Sequence, residues 1–85
     1  GELDAAERDF RAALAVLEPK LAASDPALAW SWWGLGSVLA EAKRYDEAIP
    51  LLQKAYELRK ANLPPGHRDT RDAEESLKSA LKSRM

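Results

Sequence analysis

The sequence predicts an all-α protein in which antiparallel helix pairs stack as a short α-solenoid of four helices. Three observations support this prediction. Prolines, glycines and short polar residues divide the 85 residues into four segments. Within these segments, apolar residues recur three and four positions apart, which is the spacing of one face of a helix. The second half of the chain also repeats the first half at an offset of 42 residues.

The first two helices are predicted over about residues 3–21 and 26–42. Pro19 has no backbone N–H, so it should end the first helix or kink its last turn. The second helix starts at Ser24-Asp25-Pro26, where a polar acceptor precedes a proline. This combination is typical of helix N-termini, because the first helical N–H groups have no partner within the helix.

The third helix is predicted to start at Asp46, which can cap it, and to end before Pro64-Pro65-Gly66. Pro50 lies close to the start, where its missing N–H costs at most one hydrogen bond. The fourth helix should begin at Asp69 or Thr70 and continue to the end of the chain. No segment alternates with a period of two, so strands are not expected.

The composition narrows the class of function. Hydrophobic residues make up 46% and charged residues 32%, as in a folded helical protein. The net charge of −1 gives no field that would attract a nucleic acid or a membrane surface, and neither partner is expected. The absence of cysteine excludes disulfides and thiol chemistry. Because no apolar run approaches the ~18 residues of a membrane span, we expect a cytoplasmic protein.

The internal repeat preserves helically spaced apolar and alanine positions. The identical pairs include Asp4/Asp46, Ala6/Ala48, Ala13/Ala55, Leu35/Leu77 and Leu39/Leu81. Two copies of one helix pair would keep such positions in order to stack on each other. We therefore divide the single domain, residues 1–85, into a half repeat (1–25), a full repeat (26–67) and a capping helix (68–85).

These positions resemble the tetratricopeptide repeat. Its opening pattern W-x2-L-G is matched by Trp32, Leu35 and Gly36, and its second half, A-x3-F-x2-A, by Ala48, Leu52 and Ala55, with leucine for phenylalanine. Ala6, Phe10 and Ala13 match the second half again. The usual repeat has about 34 residues. The 42-residue spacing is similar to the longer repeats of kinesin light chains, whose linker resembles Leu63-Pro64-Pro65-Gly66-His67.

The resemblance implies a right-handed superhelix that serves as a protein–protein interaction module, a scaffold or adaptor without enzymatic activity. In kinesin light chains, paired asparagines on the first helix of each repeat hold the backbone of a cargo peptide. The corresponding places here are Trp33 and Gly34, then Glu75 and Ser76. The cargo mechanism of that family is therefore not expected.

The three tryptophans of Trp30-Ser31-Trp32-Trp33 divide between two faces of the second helix. Trp32 shares an apolar stripe with Leu35 and Leu39, so it is predicted to lie in the core. Gly36 is predicted to let the third helix approach closely. Gly34, on the far side of the helix, has no predicted role.

A second stripe provides the candidate binding site. Trp30 and Trp33 share it with Ser37 and Glu41, and the resemblance implies that this side lines a concave groove. The counterparts of the two tryptophans, 42 residues later, are Asp72 and Glu75. The candidate partner-binding residues are therefore Trp30, Trp33, Ser37, Glu41, Asp72 and Glu75. Aromatic faces attract cations and carboxylates pair with them, so a protein or peptide with basic and apolar residues is the predicted partner.

A structural role for these residues is the alternative. Trp30 and Trp33 can instead be buried against another helix or in a homodimer, and Asp72 and Glu75 can form a solvated face. The chain would then be a self-association or intramolecular packing segment of a larger multidomain signalling protein. Short repeat arrays need such contacts, because fewer than three repeats are marginal alone.

No catalytic residue, metal or cofactor is predicted. His67, Asp69 and Asp72 form an H-x-D-x2-D pattern, but a loop rich in helix caps gives the same letters. Glu74 and Glu75 are adjacent and point to different sides of a helix, and the serines have no paired base.

The fourth helix is expected to cap the stack. Lys78 stands where the full repeat carries Gly36, and a long charged side chain there would block a following helix. Terminal repeats of solenoids need a polar outer face of this kind. The residues predicted to pack inward are Ala73, Leu77, Ala80 and Leu81.

Overall fold

The computed structural model describes residues 1–22 and 24–85. Within these ranges the chain forms four helices and no strand: α1 (Glu2–Leu17), α2 (Pro26–Glu41), α3 (Tyr45–Asn62) and α4 (Arg68–Arg84). The predicted all-α class is confirmed.

The helices stack in the order of the chain. Each helix packs on its neighbours in sequence, and α2 also touches α4. As a result, α3 is held between α2 and α4, whereas the backbone of α1 packs on α2 and its charged side chains reach the start of α3. The Cα atoms extend over 34 × 30 × 17 Å, and the short dimension fits two layers of helices about 8–10 Å apart. The predicted solenoid of helix pairs is therefore confirmed.

The first helix is shorter than predicted. It ends at Leu17, and the chain continues to Leu21 in turns, with the Leu21 N–H donating to the Leu17 carbonyl at 2.9 Å. Pro19 explains the difference, because it has no N–H to continue the helical hydrogen bonds.

Two of the predicted helix starts were wrong. Asp46 does not cap α3: the N-cap residue is Arg44, and Asp46 and Glu47 lie in the first turn, where carboxylates interact favourably with the helix dipole. The helix α4 starts at Arg68, because Nδ1 of His67 accepts the Asp69 N–H at 3.0 Å. The start of α2 was predicted correctly, with the Asp25 carboxylate accepting the Ala27 N–H at 2.9 Å.

The core lies between α2 and α3. Its largest fully buried side chains are Leu35, Leu39 and Leu52. Trp32 joins them with only 8% of its surface exposed, which confirms its predicted place in the core. The Nζ of Lys54 lies 5.5 Å from the centroid of the Trp32 ring, so its cation covers the outer side of this ring.

Both glycines of α2 allow a neighbouring helix to approach. A Cβ at Gly36 would lie 2.7 Å from Cγ of Leu52, as predicted for contact with α3. The lack of a role for Gly34 was a wrong prediction. Gly34 is buried, and a Cβ there would overlap the ring of Phe10 on α1. The two glycines therefore serve opposite neighbours of α2.

Four charged side chains join α1 to the start of α3. Arg44 donates to Glu47 at 2.6 Å and to Glu7 at 2.7 Å, and Arg11 donates to Glu7 at 2.9 Å. Hydrogen bonding with Arg44 lowers the pKa of the Glu47 carboxyl below its ordinary value, and the same bond raises the pKa of Arg44. The group lies at the surface, so water and salt screen each pair.

The inner face of α4 agrees with the cap prediction except at one residue. Ala73 and Ala80 are buried, and Leu77 packs on the core. Leu81 was predicted to point inward, but it is 39% exposed, because no described helix follows α4 to cover it. Lys78 is exposed, with its Nζ 3.7 Å from the carboxylate of Glu74.

Candidate protein-interaction groove

A groove of about 560 Å³ runs between α2 and α4. Its wall on α2 carries Trp33, Ser37 and Glu41, and its wall on α4 carries Glu75, Ser76, Ser79 and Ser83. Tyr45, the first residue of α3, also lines the groove. The groove thus combines aromatic rings, hydroxyls and carboxylates on two neighbouring helices.

Trp33 connects the two walls. Its indole Nε1 donates a hydrogen bond to the Ser76 hydroxyl at 3.1 Å, and its ring centroid lies 5.4 Å from that of Trp30. The guanidinium of Arg59 lies 5.3 Å from the Trp33 ring centroid. The indole is therefore half-buried and fixed on several sides, with part of its surface facing the groove.

The charge of Arg59 lies behind Trp33, where only 7% of the residue is exposed. One guanidinium nitrogen donates to the Asp69 carbonyl at 2.9 Å. Burial lowers the pKa of the Arg59 guanidinium from its ordinary value, and the nearby charges of Asp69 and Asp72 partly offset this. Arg59 thus ties α3 to the start of α4 and supports the Trp33 ring.

The rim of the groove is acidic. Glu41 and Glu75 are both exposed, and the described residues that line the groove include no lysine or arginine. The oxygen of the Ser37 side chain is buried and has no hydrogen-bond partner among the described residues. The groove therefore offers carboxylates to a cation, whereas the Ser37 oxygen is covered by the protein and does not face a ligand.

The structure separates the six candidate residues. Four of them line the groove, namely Trp33, Ser37, Glu41 and Glu75. Asp72 and Trp30 lie outside this lining. Asp72 is half-buried close to Arg59. Trp30 is 60% exposed and borders two cavities, one beside α1 with Phe10 and one beside α3 with Leu58.

Three residues that shape the groove were not identified as functional from the sequence. They are Tyr45, Ser76 and Arg59. A signal for Arg59 was present, because it stands 42 residues after the apolar Leu17 and therefore at a position of the packed stripe. Ser76 gave no comparable signal, since its partner is the indole of a tryptophan 43 residues away in the sequence.

Neither a membrane segment nor a metal cluster is seen in the part of the chain that the structure describes. Among residues 1–22 and 24–85, no helix is long and apolar enough to cross a membrane. The same residues contain no group of three or more histidine, aspartate or glutamate side chains placed to hold a metal ion. The ring of His67, part of the weak metal pattern, instead caps α4.

The fold is that of a helical-repeat protein. The groove lies between α2 and α4, which are the first helices of two adjacent helix pairs. The family model of the tetratricopeptide repeat matches residues 1–61 of the 85, so the chain belongs to this family. No curated protein and no solved structure gives a significant match. The family match spans α1, α2 and nearly all of α3, and it leaves out α4. Similarity to the kinesin light chain variant in particular stays a prediction.

Tetratricopeptide repeats generally mediate interactions between proteins, and they are non-catalytic modules. This places the chain in the class of protein-interaction modules. In the groove between α2 and α4, aromatic and acidic side chains of this chain come together.

Proposed function

We propose that this chain is a scaffold or adaptor module that binds a peptide or helix segment with basic and apolar side chains in the groove between α2 and α4. The observation that carries the proposal is the placement of two aromatic residues, Trp33 and Tyr45, between two carboxylates, Glu41 and Glu75. The aromatic residues supply apolar contact, and the carboxylates select a cation.

The fixed position of Trp33 supports its role as an anchor. A side chain that is already held in place loses little conformational entropy when a ligand arrives. Trp33 is held by its hydrogen bond to Ser76 and by the Arg59 guanidinium beside its ring. Its remaining exposed surface is therefore presented to the groove without a large rearrangement.

The two carboxylates explain the expected preference for a basic ligand. Glu41 and Glu75 lie on opposite walls, and no described groove residue supplies a compensating positive charge. Glu75 is the counterpart of Trp33, and Glu41 lies eight residues after Trp33, so a ligand with two basic side chains could pair one of them with each carboxylate. Exposed charges are screened by salt, so the affinity should decrease as the ionic strength rises.

The hydroxyls of the α4 wall suit the backbone of an extended ligand. Ser79 and Ser83 are both exposed on the helix that forms this wall, and a hydroxyl can donate and accept hydrogen bonds. Side-chain hydroxyls contact backbone groups without reading the ligand sequence. In this proposal, the carboxylates and the aromatic residues provide the selectivity.

A matched pair of peptides tests the proposal. Both carry the same large apolar residues, and they differ only in two positions that hold lysine in one peptide and glutamate in the other. Isothermal titration calorimetry should show binding of the lysine peptide and at least tenfold weaker binding of the glutamate peptide, which meets two carboxylates of like charge. Equal binding of the two peptides would remove the charge argument.

Substitutions on the chain locate the binding. Glu41→Gln and Glu75→Gln should each weaken the lysine peptide by about two- to fivefold, as expected for exposed ion pairs. The control is Glu57→Gln, which removes an exposed carboxylate from α3 outside the groove lining. If Glu57→Gln weakens binding as much as the groove variants do, the effect comes from net charge and the proposed site is wrong.

A further inference from the structure

The smaller of the two cavities that Trp30 borders lies between the start of α2 and the end of α3, and its volume is about 130 Å³. Its walls carry three large apolar side chains, Trp30, Leu58 and Leu63, together with the cation Arg59. We propose that this cavity binds a small free carboxylate with an apolar body, which pairs its charge with Arg59. None of the lining residues belongs to the groove, so the inference does not depend on the proposed function.

Arg59 has unused capacity to bind an anion. Only 7% of the residue is exposed, and a charge at this depth normally has an ionic partner. Arg59 forms no ion pair with any described residue. A guanidinium has five N–H groups, and among the described residues the Asp69 carbonyl accepts a hydrogen bond from one of them. The planar arrangement of the other N–H groups matches the two oxygens of a carboxylate.

The guanidinium of Arg59 has different surroundings on its two sides. The ring of Trp33 lies on one side, with its centroid 5.3 Å from Cζ of Arg59, and this ring lines the groove and not the cavity. On another side, Arg59 borders the cavity. A ligand can therefore reach the cation from the cavity without displacing Trp33.

The walls of the cavity specify the apolar part of the ligand. Trp30 is largely exposed, whereas Leu58 and Leu63 are half-buried. A water molecule needs about 10–15 Å³ of such space, so the cavity has room for a carboxylate and a ring of several carbons. The ring could pack on the Trp30 indole. An aspartate or glutamate of another protein would bring its polar backbone close to these walls, which therefore favour a free molecule.

The aspartates near Arg59 limit the charge of the ligand. Asp69 borders the cavity, and burial lowers the pKa of the Arg59 guanidinium while the charges of Asp69 and Asp72 offset only part of this effect. A carboxylate brings one negative charge into contact with the guanidinium. A phosphate monoester brings nearly two, and Asp69 would repel it more strongly. The site therefore favours a carboxylate over a phosphate.

Benzoate and benzamide are a matched pair of probes for this cavity. They have the same shape, and only benzoate carries a negative charge. Each should be titrated into ¹⁵N-labelled chain at constant ionic strength while the Arg59 Nε–H and Trp30 indole signals are followed by two-dimensional NMR. Benzoate should shift both signals in a saturable way, and benzamide should bind at least about fivefold more weakly, because its hydrogen bonds with the guanidinium lack the ionic contribution.

Substitutions of two exposed residues locate the bound carboxylate. Asp69→Asn removes the repelling charge from the cavity wall and should tighten benzoate by about two- to fivefold. Trp30→Ala removes an apolar wall and should weaken benzoate by about fivefold or more. The control is Glu57→Gln, which removes an exposed carboxylate of α3 outside the cavity lining and should leave the affinity unchanged. All three variants should retain the circular dichroism spectrum of the parent chain.

Arg59→Lys tests the geometry of the cation. Lysine keeps the positive charge but cannot form two parallel hydrogen bonds to one carboxylate, so benzoate should bind about tenfold more weakly. This residue is buried and contacts Trp33 and α4, so thermal melts must show that the variant is folded. If it is unfolded, Asp69→Asn and Trp30→Ala decide the question.

Four results would overturn the inference. The first is equal binding of benzoate and benzamide. The second is an affinity for benzoate that changes equally in Asp69→Asn and Glu57→Gln, because net charge would then explain it. The third is tighter binding of inorganic phosphate than of benzoate. The fourth is a glutamate-containing peptide that shifts the same two signals at lower concentration than benzoate, because the occupant would then be an acidic side chain. None of these results changes the expected selectivity of the groove for the lysine peptide.

Discussion

The helices α1 and α3 carry the same stripe of alanine and large apolar residues, and they differ in the number of helices that cover it. On α3, Ala48 and Leu52 are fully buried between α2 and α4. On α1, the equivalent Ala6 and Phe10 remain half-exposed beside α2. The pattern of a repeat thus defines which residues can be buried, while the neighbouring helices determine which of them are. The stack is therefore closed around α3 and open on one side of α1.

The largest expected effect comes from removing α4, because α3 would then be covered by one helix instead of two. Deletion of residues 68–85 removes α4, including Ala73 and Ala80, and leaves Trp33 and Arg59 without their partners on that helix. We expect the truncated chain to aggregate and to lose its cooperative thermal transition. Light scattering and circular dichroism measure both properties. A truncated chain that stays monomeric and fully helical would contradict the capping role of α4.

The three tryptophans should differ strongly in their contribution to stability. Trp32→Ala removes a core side chain and should cost about 3–5 kcal/mol. Trp33→Ala should cost less, about 1–3 kcal/mol, because it removes a half-buried ring and one hydrogen bond. Trp30→Ala should change the free energy of unfolding by about 0.5 kcal/mol or less. Urea unfolding gives all three values. Similar losses of unfolding free energy in Trp32→Ala and Trp30→Ala would contradict the buried position of Trp32 and the exposed position of Trp30.

One matched pair of substitutions tests the comparison at equivalent positions. Ala48→Leu inserts bulk where α3 is covered on both sides, and overpacking there should cost about 1–3 kcal/mol. Ala6→Leu makes the same change on α1, beside an open cavity, and should cost less than about 0.5 kcal/mol. Chemical denaturation of the two variants measures the difference. An equal cost would mean that α1 is already fully packed around Ala6.

The smallest expected effect concerns the ion pairs between α1 and the start of α3. Arg44 lowers the pKa of Glu47 in the folded state, so the stabilisation is present above the ordinary carboxyl range and is lost as the pH falls through the lowered value. Glu47→Gln should therefore reduce the loss of stability on acidification. Thermal melts from neutral to acidic pH measure this effect, with Glu57→Gln as the exposed control. Identical acid profiles of Glu47→Gln and the parent chain would exclude a contribution from this group.

Much of the fold could be predicted because local signals and the repeat agree. The proline after Asp25 and the stripe through Trp32 fixed α2 almost to the residue, and Gly36 had a recognisable place in the repeat pattern. These features depend on one helix and its immediate partner. A helical wheel is sufficient for them, since it gives the angle of each side chain around the helix axis.

The remaining features depend on contacts that a helical wheel does not contain. The wheel placed Trp30 and Trp33 on one stripe, but Trp33 lies in the groove beside α4, whereas Trp30 lies outside the groove and borders cavities beside α1 and α3. Gly34 had no predicted role, because its partner Phe10 belongs to another helix. Arg59 was not identified from the sequence, and it is buried behind Trp33. In each case, a residue of another helix determines how far the side chain is buried and what it contacts.

The indole resonances of Trp30, Trp32 and Trp33 provide the most direct test of the proposed groove. The lysine peptide should be titrated into ¹⁵N-labelled chain while the three indole N–H signals are followed by two-dimensional NMR. We predict the largest shift for Trp33, whose N–H contacts Ser76 at the groove, and a smaller one for Trp30, 5.4 Å away between ring centroids. Trp32, in the core, should stay unchanged. A shift confined to Trp30, or no shift of any indole at millimolar peptide, would contradict binding in the groove.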